Sequence, residues 1–487
     1  MSFDVSDLNL YSAMAEIFVA IMALTIMLLT VFSRDNARGL AYSLTQLTLI
    51  VVTFITLFTL DARSDLALNN MFVRDLPGGI LKLVVYFAMM IALLYGRGYL
   101  ADRKLDRPEY YLLALLSTLG MMVMITANHL LTLYLGLEMM SLALYALVAF
   151  DRDAVRSTEA GMKYFVLGAL ASGLLLYGMS MIYGATGSLE LPAVQQAVLT
   201  LPDKTILLFG LVFLIAGISF KLGVAPFHMW VPDVYQGAPT ATTLILSSAP
   251  KLAAFALAMR LLAGALPDLI EHWQTMLLFA AVVSIVLGNL AALVQKDIKR
   301  MLAYSGIAHM GFMLLGMLSG GGGMGYSSAM FYTIAYALMT LAAFGMVVLL
   351  SREGFEAEGI EDFKGLNRRS PWFALIMLFV MFSMAGIPFF VGFFAKFAVL
   401  QAVIQAGYLW VAILAVVMSL IGAFYYLRIV KFMYFDEPVD NAPLNVSSEL
   451  RLMLSINGVA IALIGLMPGT LLKWCEEAMK AVFTATI

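Results

Sequence analysis

The stretch TILLFGLVFLIAGISFKLGVAPF, Thr205 to Phe227, decides the fold class of this chain. An apolar run of about 20 residues is long enough to cross the hydrocarbon core of a bilayer as a helix. Lys221 lies near the end of the run, where it would sit inside the hydrocarbon, and Pro226 and His228 come shortly after it. The sequence therefore predicts a membrane-spanning helix that breaks next to a buried cation.

The composition extends this prediction to the whole chain of 487 residues. Hydrophobic residues make up 62% of it and charged residues only 12%, with a mean hydropathy of +0.93. A soluble domain carries about a quarter charged residues. Because long apolar runs recur throughout, the chain is predicted to be an all-α polytopic membrane protein. A formal net charge of -2, without a Lys/Arg block, does not indicate nucleic-acid binding.

About fourteen spans are predicted, with both termini outside. They lie near residues 11–32, 39–60, 78–100, 109–127, 130–150, 160–184, 205–227, 241–265, 273–294, 301–318, 326–350, 372–400, 408–433 and 450–472. Basic residues gather in the connections after odd-numbered spans, at Arg34, Arg38, Arg103, Lys104, Arg107, Arg152, Arg156, Lys296, Lys299, Arg300, Arg352, Lys364, Arg368 and Arg369. The odd side is therefore predicted to be cytoplasmic. The N-terminal stretch MSFDVSDLNLY has no basic region, so it is not predicted to be a signal peptide.

Two interrupted spans resemble each other. AGISFKLGVAPF begins at Ala216 and AGIPFFVGFFAKF at Ala385, and both share Ala-Gly-Ile-x-Phe-x-x-Gly. Pro226 interrupts the first span and Pro388 the second. Corresponding broken helices of opposite direction are typical of inverted-repeat transporters, which bind their substrate at the breaks. A general bias toward Gly, Ile and Phe is the alternative explanation.

Ionisable side chains within the predicted spans mark a candidate site. They are Glu138, Lys163, Lys221, Lys251, His309 and Lys396, with Lys82 near the end of a span. A lysine at the bilayer centre costs about 2.5–3.5 kcal/mol. Lys221, Lys251 and Lys396 have apolar residues on both sides, so a functional role is favoured for them.

Simpler interpretations stay open for the other charged side chains. Snorkelling to the headgroups is favoured for Lys82 and remains possible for Lys163. Glu138 could form a structural ion pair, and His309 could be a hydrogen-bonded core residue. The single cysteine, Cys475, allows no internal disulfide and no cysteine-rich metal or iron–sulfur site.

The functional interpretation of the buried charges is a proton path. Burial lowers the pKa of a lysine, whereas a nearby carboxylate raises it; an arginine stays charged. A conformational step that moves Glu138 relative to Lys221 would therefore load or unload a proton. Breaks at Pro226 and Pro388 would free backbone groups and admit water to the middle of the membrane.

Three long motifs resemble the antiporter-like proton-pumping subunits. They are TANHLLTLYLGLEMMSLALYAL (126–147), FKLGVAPFHMWVPDVYQGAPTATTLILSSAPKLAAF (220–255) and GNLAALVQKDIKRMLAYSGIAHMGF (288–312). Subunits of this family occur in respiratory complex I, in membrane hydrogenases and in multi-subunit sodium/proton antiporters. The form HMWVPDVYQGAP and the chain length are most similar to the bacterial complex I members. The resemblance covers roughly residues 110–435.

The resemblance implies a fold of fourteen helices in which the seventh and twelfth are broken. Residues 109–265, with helices 4–8, and 266–435, with helices 9–13, would be inverted five-helix repeats. Residues 1–108 would hold the first three helices, and 436–487 the last helix and a tail. The lysines at the two breaks are not repeat equivalents, because they lie at different distances from the shared Ala-Gly-Ile.

The resemblance also implies roles for the buried residues. Glu138 would pair with Lys221, Lys251 would be the central lysine, Lys396 would belong to the outer half-channel, Lys163 would modulate the pair, and His309 would lie between the half-channels. Protons would enter from the cytoplasm near Glu138 and Lys221, cross through Lys251 and His309, and leave near Lys396.

As a subunit of a translocase, the chain would carry out no redox chemistry of its own. NADH, FMN, iron–sulfur clusters and quinone, such as ubiquinone, would be bound by other subunits, and this chain would hold no cofactor. Its partners would be other membrane-arm subunits, both antiporter-like and small helical ones, in a bacterial inner (plasma) membrane.

Other functions fit the same residues. A subunit of a sodium/proton antiporter or of a membrane hydrogenase would use the same lysine chain. A scaffold subunit that pumps nothing would keep the charges as relics, although a complete set of one glutamate and three lysines argues against this. A stand-alone solute transporter would usually show a polar substrate site beyond the lysines.

Overall fold

The computed structural model describes residues 8–33, 37–61, 63–320, 324–439, 444 and 447–484. Helices dominate these residues, so the predicted all-α membrane fold is confirmed. The first half comprises α1 (Met14–Phe32), α2 (Ala37–Phe58), α3 (Leu76–Asp102), α4 (Pro108–Thr126), α5 (Leu130–Val148), α6 (Val155–Thr186), α7 (Leu191–Thr200), α8 (Thr205–Leu222), α9 (Trp230–Gly237), α10 (Thr240–Ser247) and α11 (Ala249–Ala258). A π-helical turn, Met259–Ala265, extends α11.

The second half comprises α12 (Ile270–Leu293), α13 (Ile298–Leu318), α14 (Met324–Leu350), α15 (Leu366–Arg369), α16 (Pro371–Ala385), α17 (Val391–Gln405), α18 (Leu409–Phe435), α19 (Ser448–Leu466) and α20 (Pro468–Thr484). Short 3-10 turns cover Leu10–Ala13, Pro267–Leu269 and Ile360–Phe363. A small antiparallel hairpin of β1 (Asp65–Ala67) and β2 (Phe72–Arg74) joins α2 to α3.

Membrane-spanning helices account for most of the described chain. Thirteen helical segments are long and apolar enough to cross a membrane, and the shorter apolar pair α16 and α17 covers the twelfth predicted span. α13 and α14 are buried almost throughout and form the centre, whereas α1, α2, α18 and α19 expose apolar side chains. A lipid-facing surface is apolar like the interior, because no water is present to favour polar groups there.

The seventh predicted span, 205–227, is helical only as far as Leu222, and the next helix, α9, begins beyond it at Trp230. α8 ends at Leu222, and Gly223 adopts φ +75°, a left-handed conformation that glycine takes without steric cost. The Val224 N–H donates to the Ser219 carbonyl at 2.9 Å, which satisfies a carbonyl that the ended helix leaves free. Because Pro226 cannot continue a helix, the chain turns before α9 begins.

The twelfth predicted span forms two helices, α16 and α17, and α16 ends in the same way as α8. α16 ends at Ala385, Gly386 has φ +87°, and the Ile387 N–H donates to the Phe382 carbonyl at 2.9 Å. The shared Ala-Gly-Ile does not align these ends, because Gly217 lies inside α8 whereas Gly386 caps α16. Gly223 and Gly386 thus cap α8 and α16 with the same backbone geometry.

The Gly223→Ala variant is expected to destabilise the protein by about 1–3 kcal/mol, because an L-residue is strained at this φ. The added Cβ would also lie 2.6 Å from Val231 Cγ2. The measurement is the temperature at which the assembled complex is lost on heating. Gly98→Ala is the matched control, since Gly98 lies in α3 with nothing within 4 Å. An equal midpoint for both variants would contradict the prediction.

Two regions differ from the sequence-based prediction. The eighth predicted span is also divided, between α10 and α11 at Ser248, whose φ of -116° and ψ of -86° are not helical. The predicted C-terminal tail instead continues as α20, because Pro468 starts a new helix after α19. α20 packs against α14 and α3 and is not among the helices that are long and apolar enough to cross a membrane.

Candidate site of buried lysines at the interrupted helices

Lys221 occupies the last turn of α8 and is buried. Its Nζ donates to the Ser141 hydroxyl on α5 at 2.8 Å, and this hydroxyl donates to the Leu137 carbonyl at 2.6 Å. The Nζ also lies 5.8 Å from the centre of the Tyr145 ring, within the range of a cation–π contact. The amine is thus held by neutral groups of α5.

Glu138 lies one helical turn before Ser141 on α5. Its Oε1 is buried and has no hydrogen-bond partner. Within the described residues, Lys221 makes its hydrogen bond to Ser141 and no ion pair with Glu138. The ion pair between Glu138 and Lys221 that the family resemblance implied is therefore not formed in this structure. The Lys221 amine is bonded to Ser141 instead of to Glu138.

Lys251 joins α11, the second helix of the divided eighth span, to the end of α8. It follows Pro250 in the first turn of α11, and its Nζ donates to the Leu222 carbonyl at 2.8 Å. The last carbonyls of a helix have no partner within the helix and carry partial negative charge. A buried amine therefore fits this position, and the Trp230 ring, 5.3 Å away, covers it.

Lys396 has the same surroundings at the other interrupted helix. Its Nζ donates to the carbonyls of Met384 and Ala385, at 3.1 and 3.0 Å, which are the last residues of α16. The Phe312 ring lies 5.2 Å from the amine. Lys251 and Lys396 are thus alike in their contacts. Lys251 on α11 contacts the end of α8, which belongs to the preceding predicted span, whereas Lys396 on α17 contacts the end of α16, which belongs to the same predicted span.

His309 is the centre of a hydroxyl network in α13. Its Nδ1 lies 2.6 Å from the Tyr332 hydroxyl and its Nε2 lies 3.1 Å from the Tyr426 hydroxyl. Tyr426 is also hydrogen-bonded to Ser305. The ring is buried and connects α14 to α18, so the histidine is both a satisfied core residue and a potential proton relay.

Lys163 lies outside this buried group. Its side chain is 44% exposed and forms ion pairs with Glu159, at 2.9 Å, and with Asp233 of α9, at 3.0 Å. Asp233 also accepts from Arg300 at 2.6 Å. Lys163 therefore contacts neither Lys221 nor Glu138 directly. α6 has 32 residues, more than a bilayer needs, and Lys163 lies in its first three turns.

Lys82 contradicts the snorkelling interpretation. It is buried in α3 and pairs with Glu16 of α1 at 2.9 Å. The sequence did not reveal this contact, because the two residues lie 66 positions apart. Ser141 and the tyrosines around His309 were missed for the same reason, although hydroxyl groups within apolar helices are a usable signal.

The arrangement brings titratable amines to the ends of interrupted helices inside an apolar helical bundle. Such groups can accept and release protons within the membrane when their neighbours move. Fold and site together are typical of antiporter-like membrane proteins.

Comparisons with known proteins agree with this class. The family described as NADH:quinone oxidoreductase/Mrp antiporter, TM, matches residues 127–422. NADH-quinone oxidoreductase subunit N of Azoarcus sp. (strain BH72) is 67% identical over 489 residues, 99% of each chain. The subunit N of Nitrosomonas europaea is 54% identical over 96% of this chain and 97% of its own. The chain belongs to this family, and within it to the subunit N group of NADH-quinone oxidoreductases, the antiporter-like membrane subunits of complex I.

Solved structures show the same relationship. A chain of respiratory complex I from Thermus thermophilus with bound Aureothin has a TM-score of 0.81 and 32% identity, over 94% of this chain and 98% of that one. A chain of the Mrp complex from Dietzia sp. DQ12-45-1b has a TM-score of 0.84 at 20% identity over 98% of each, which shows the fold alone. The family resemblance of the three motifs is confirmed, and the partners are other membrane-arm subunits of the complex.

Proposed function

We propose that this chain carries protons through two groups of buried side chains, one at each interrupted helix. Glu138, Lys221 and Lys251 form the first group, and His309 and Lys396 form the second. The observation that carries the proposal is that Lys251 and Lys396 each donate to the last carbonyls of a helix that ends inside the apolar bundle.

The neutral surroundings of the three amines support proton release. In the described part of the chain, Lys221, Lys251 and Lys396 donate to hydroxyl and carbonyl oxygens and to no carboxylate. A carboxylate would stabilise the charged form of an amine more strongly than these neutral acceptors do. A lysine can then lose its proton in a dry site, whereas an arginine cannot.

Glu138 is proposed to act as the switch of the first group. Its buried Oε1 has no partner, while Lys221 is bonded to Ser141 one turn away. Movement of the carboxylate to Lys221 would favour the charged amine, and its withdrawal would favour release of the proton. Lys163, which contacts Asp233 at the exposed edge, would influence this group only at a distance.

The direction of transfer is a further part of the proposal. Protons would enter from the cytoplasm near Glu138 and Lys221, cross through Lys251 and His309, and leave near Lys396. Basic residues after odd-numbered spans support a cytoplasmic odd side and periplasmic termini in a bacterial inner membrane. The matching helix ends at Gly223 and Gly386 support inverted repeats at 109–265 and 266–435.

The redox chemistry is proposed to occur in other subunits of the complex. These subunits would bind NADH, FMN, the iron–sulfur clusters and the quinone, and this chain would bind none of them. The single cysteine, Cys475, supports this assignment, since an iron–sulfur cluster needs several thiolate ligands.

The proposal is tested by Lys221→Ala in the complete complex, with NADH:quinone turnover and proton pumping measured in the same membrane vesicles. Loss of the amine removes the proton carrier closest to Glu138, so both rates are expected to fall together. Assembly is checked by native electrophoresis. Wild-type turnover and pumping in an assembled variant would make Lys221 a structural residue and would favour a non-pumping scaffold.

A further inference from the structure

A second group of buried charges lies where α1, α3 and α4 meet, away from the interrupted helices. Lys82 donates to Glu16 Oε1 at 2.9 Å, and the Thr126 hydroxyl donates to the same oxygen at 3.3 Å. Only 5% of the Lys82 side chain and 6% of the Glu16 side chain are exposed. Glu16 Oε2 is also buried and has no hydrogen-bond partner. One oxygen of this carboxylate is therefore satisfied and the other is free.

Asp75, a neighbouring carboxylate at the start of α3, is fully satisfied. Its Oδ1 accepts from the Gly78 N–H at 3.0 Å and from Arg260 Nη2 at 2.9 Å, and its Oδ2 accepts from Arg260 Nη1 at 2.5 Å. An ion pair that serves only to hold helices together would be expected to satisfy both oxygens in this way. Glu16 departs from that pattern.

A small polar cavity of about 10 Å³ is lined by Lys82 and Thr126, the two residues that donate to Glu16 Oε1. Its volume is room for about one water molecule. Its polar lining consists of Thr56, Thr59, Asp61, Arg74, Asp75, Lys82 and Thr126. Asp61 is exposed at the surface, so the cavity lies between Lys82 and solvent. The Thr56 hydroxyl of this lining donates to the Tyr86 hydroxyl at 3.4 Å.

We propose that Glu16 is a proton-binding carboxylate that exchanges its proton with solvent through the cavity beside Lys82. Binding of a proton at Oε2 would convert the ion pair into a carboxylic acid beside an ammonium group, and release would restore the pair. The inference rests on the proposed function and deepens it. It adds a proton-exchange group near the start of α3 to the lysines of the interrupted helices.

The test compares infrared difference spectra of the complete complex, with and without NADH, for wild type and Glu16→Gln. The amide keeps the size of the carboxylate but binds no proton, so loss of one carboxylic-acid C=O band is expected. Because Glu16→Gln leaves the Lys82 charge unpaired in the interior, the double variant Glu16→Gln/Lys82→Met is measured as well. Asp75→Asn is the matched control and is expected to retain the band.

The presence or absence of the carboxylic-acid C=O band in each variant decides between the outcomes. If it persists in the assembled single or double variant, Glu16 and Lys82 form a structural ion pair and the inference is overturned. If it disappears there and persists in Asp75→Asn, Glu16 is the proton-binding group. Failure of the proposed function has a different signature, since Lys221→Ala would then leave pumping unchanged whether or not the Glu16 band is present.

Discussion

Lys251→Met is expected to lower NADH-driven proton pumping and coupled turnover by about tenfold or more, since removal of a proton-transfer group slows its step by about 10²–10⁴-fold. Lys251 contributes the amine that contacts the last carbonyls of α8. Methionine has nearly the same length but neither a charge nor a donor, so residue 251 can no longer hold a proton against the last carbonyls of α8. The measurement is pumping and quinone reduction in the same vesicles.

Two further variants separate proton transfer from support of the helix end. Lys251→Arg keeps the positive charge and the donors but does not release its proton, so it is expected to assemble and to stay as inactive as Lys251→Met. Lys299→Met removes another buried amine, which donates to the Ala238 carbonyl at 3.2 Å, and is expected to keep the wild-type ratio of protons to turnover. Full activity of Lys251→Arg would show that only the charge matters there.

Lys396→Met is expected to have an effect of similar size, about tenfold or more on pumping, by the same loss of a proton-transfer group. Its Nζ contacts the final carbonyls of α16 and lies 5.2 Å from the Phe312 ring. No other amine contacts this helix end in the described part of the chain. Pumping is measured by the uptake of a pH-sensitive dye in vesicles that contain equal amounts of assembled complex.

Helix perturbation is excluded with Gln401→Met, an exposed position on the same helix α17, which should pump as the wild type does. Lys396→Arg should restore the hydrogen bonds to α16 without restoring proton release. If the arginine variant pumps normally, Lys396 is a cap for α16 and the proposed exit of protons must lie elsewhere.

The positions of the breaks were accessible from sequence because prolines mark them. Pro226 and Pro388 predicted interrupted spans, and the described helices end shortly before each of them. The residue at which each helix ends was not accessible, since the shared Ala-Gly-Ile suggested an equivalence of Gly217 and Gly386. Backbone hydrogen bonds instead make Gly223 the cap of α8.

The environment of individual charges was harder to predict than their presence. Lys82 lies near the end of a predicted span, which favoured snorkelling, but Glu16 faces it from α1. Lys163 lies within an apolar stretch, but α6 begins eight residues earlier, at Val155, and so carries it to the exposed edge. In both cases the deciding fact is the position of another helix.

The sequence by itself determined the fold class and the family of this protein. A chain this apolar can satisfy its backbone in a bilayer only by forming helices, and three long motifs identify the relatives. Only the tertiary structure decided that Lys251 and Lys396 occupy matching helix ends and that Lys221 contacts Ser141 rather than Glu138. These contacts join residues far apart in the chain, so they depend on helix packing, which local composition does not specify.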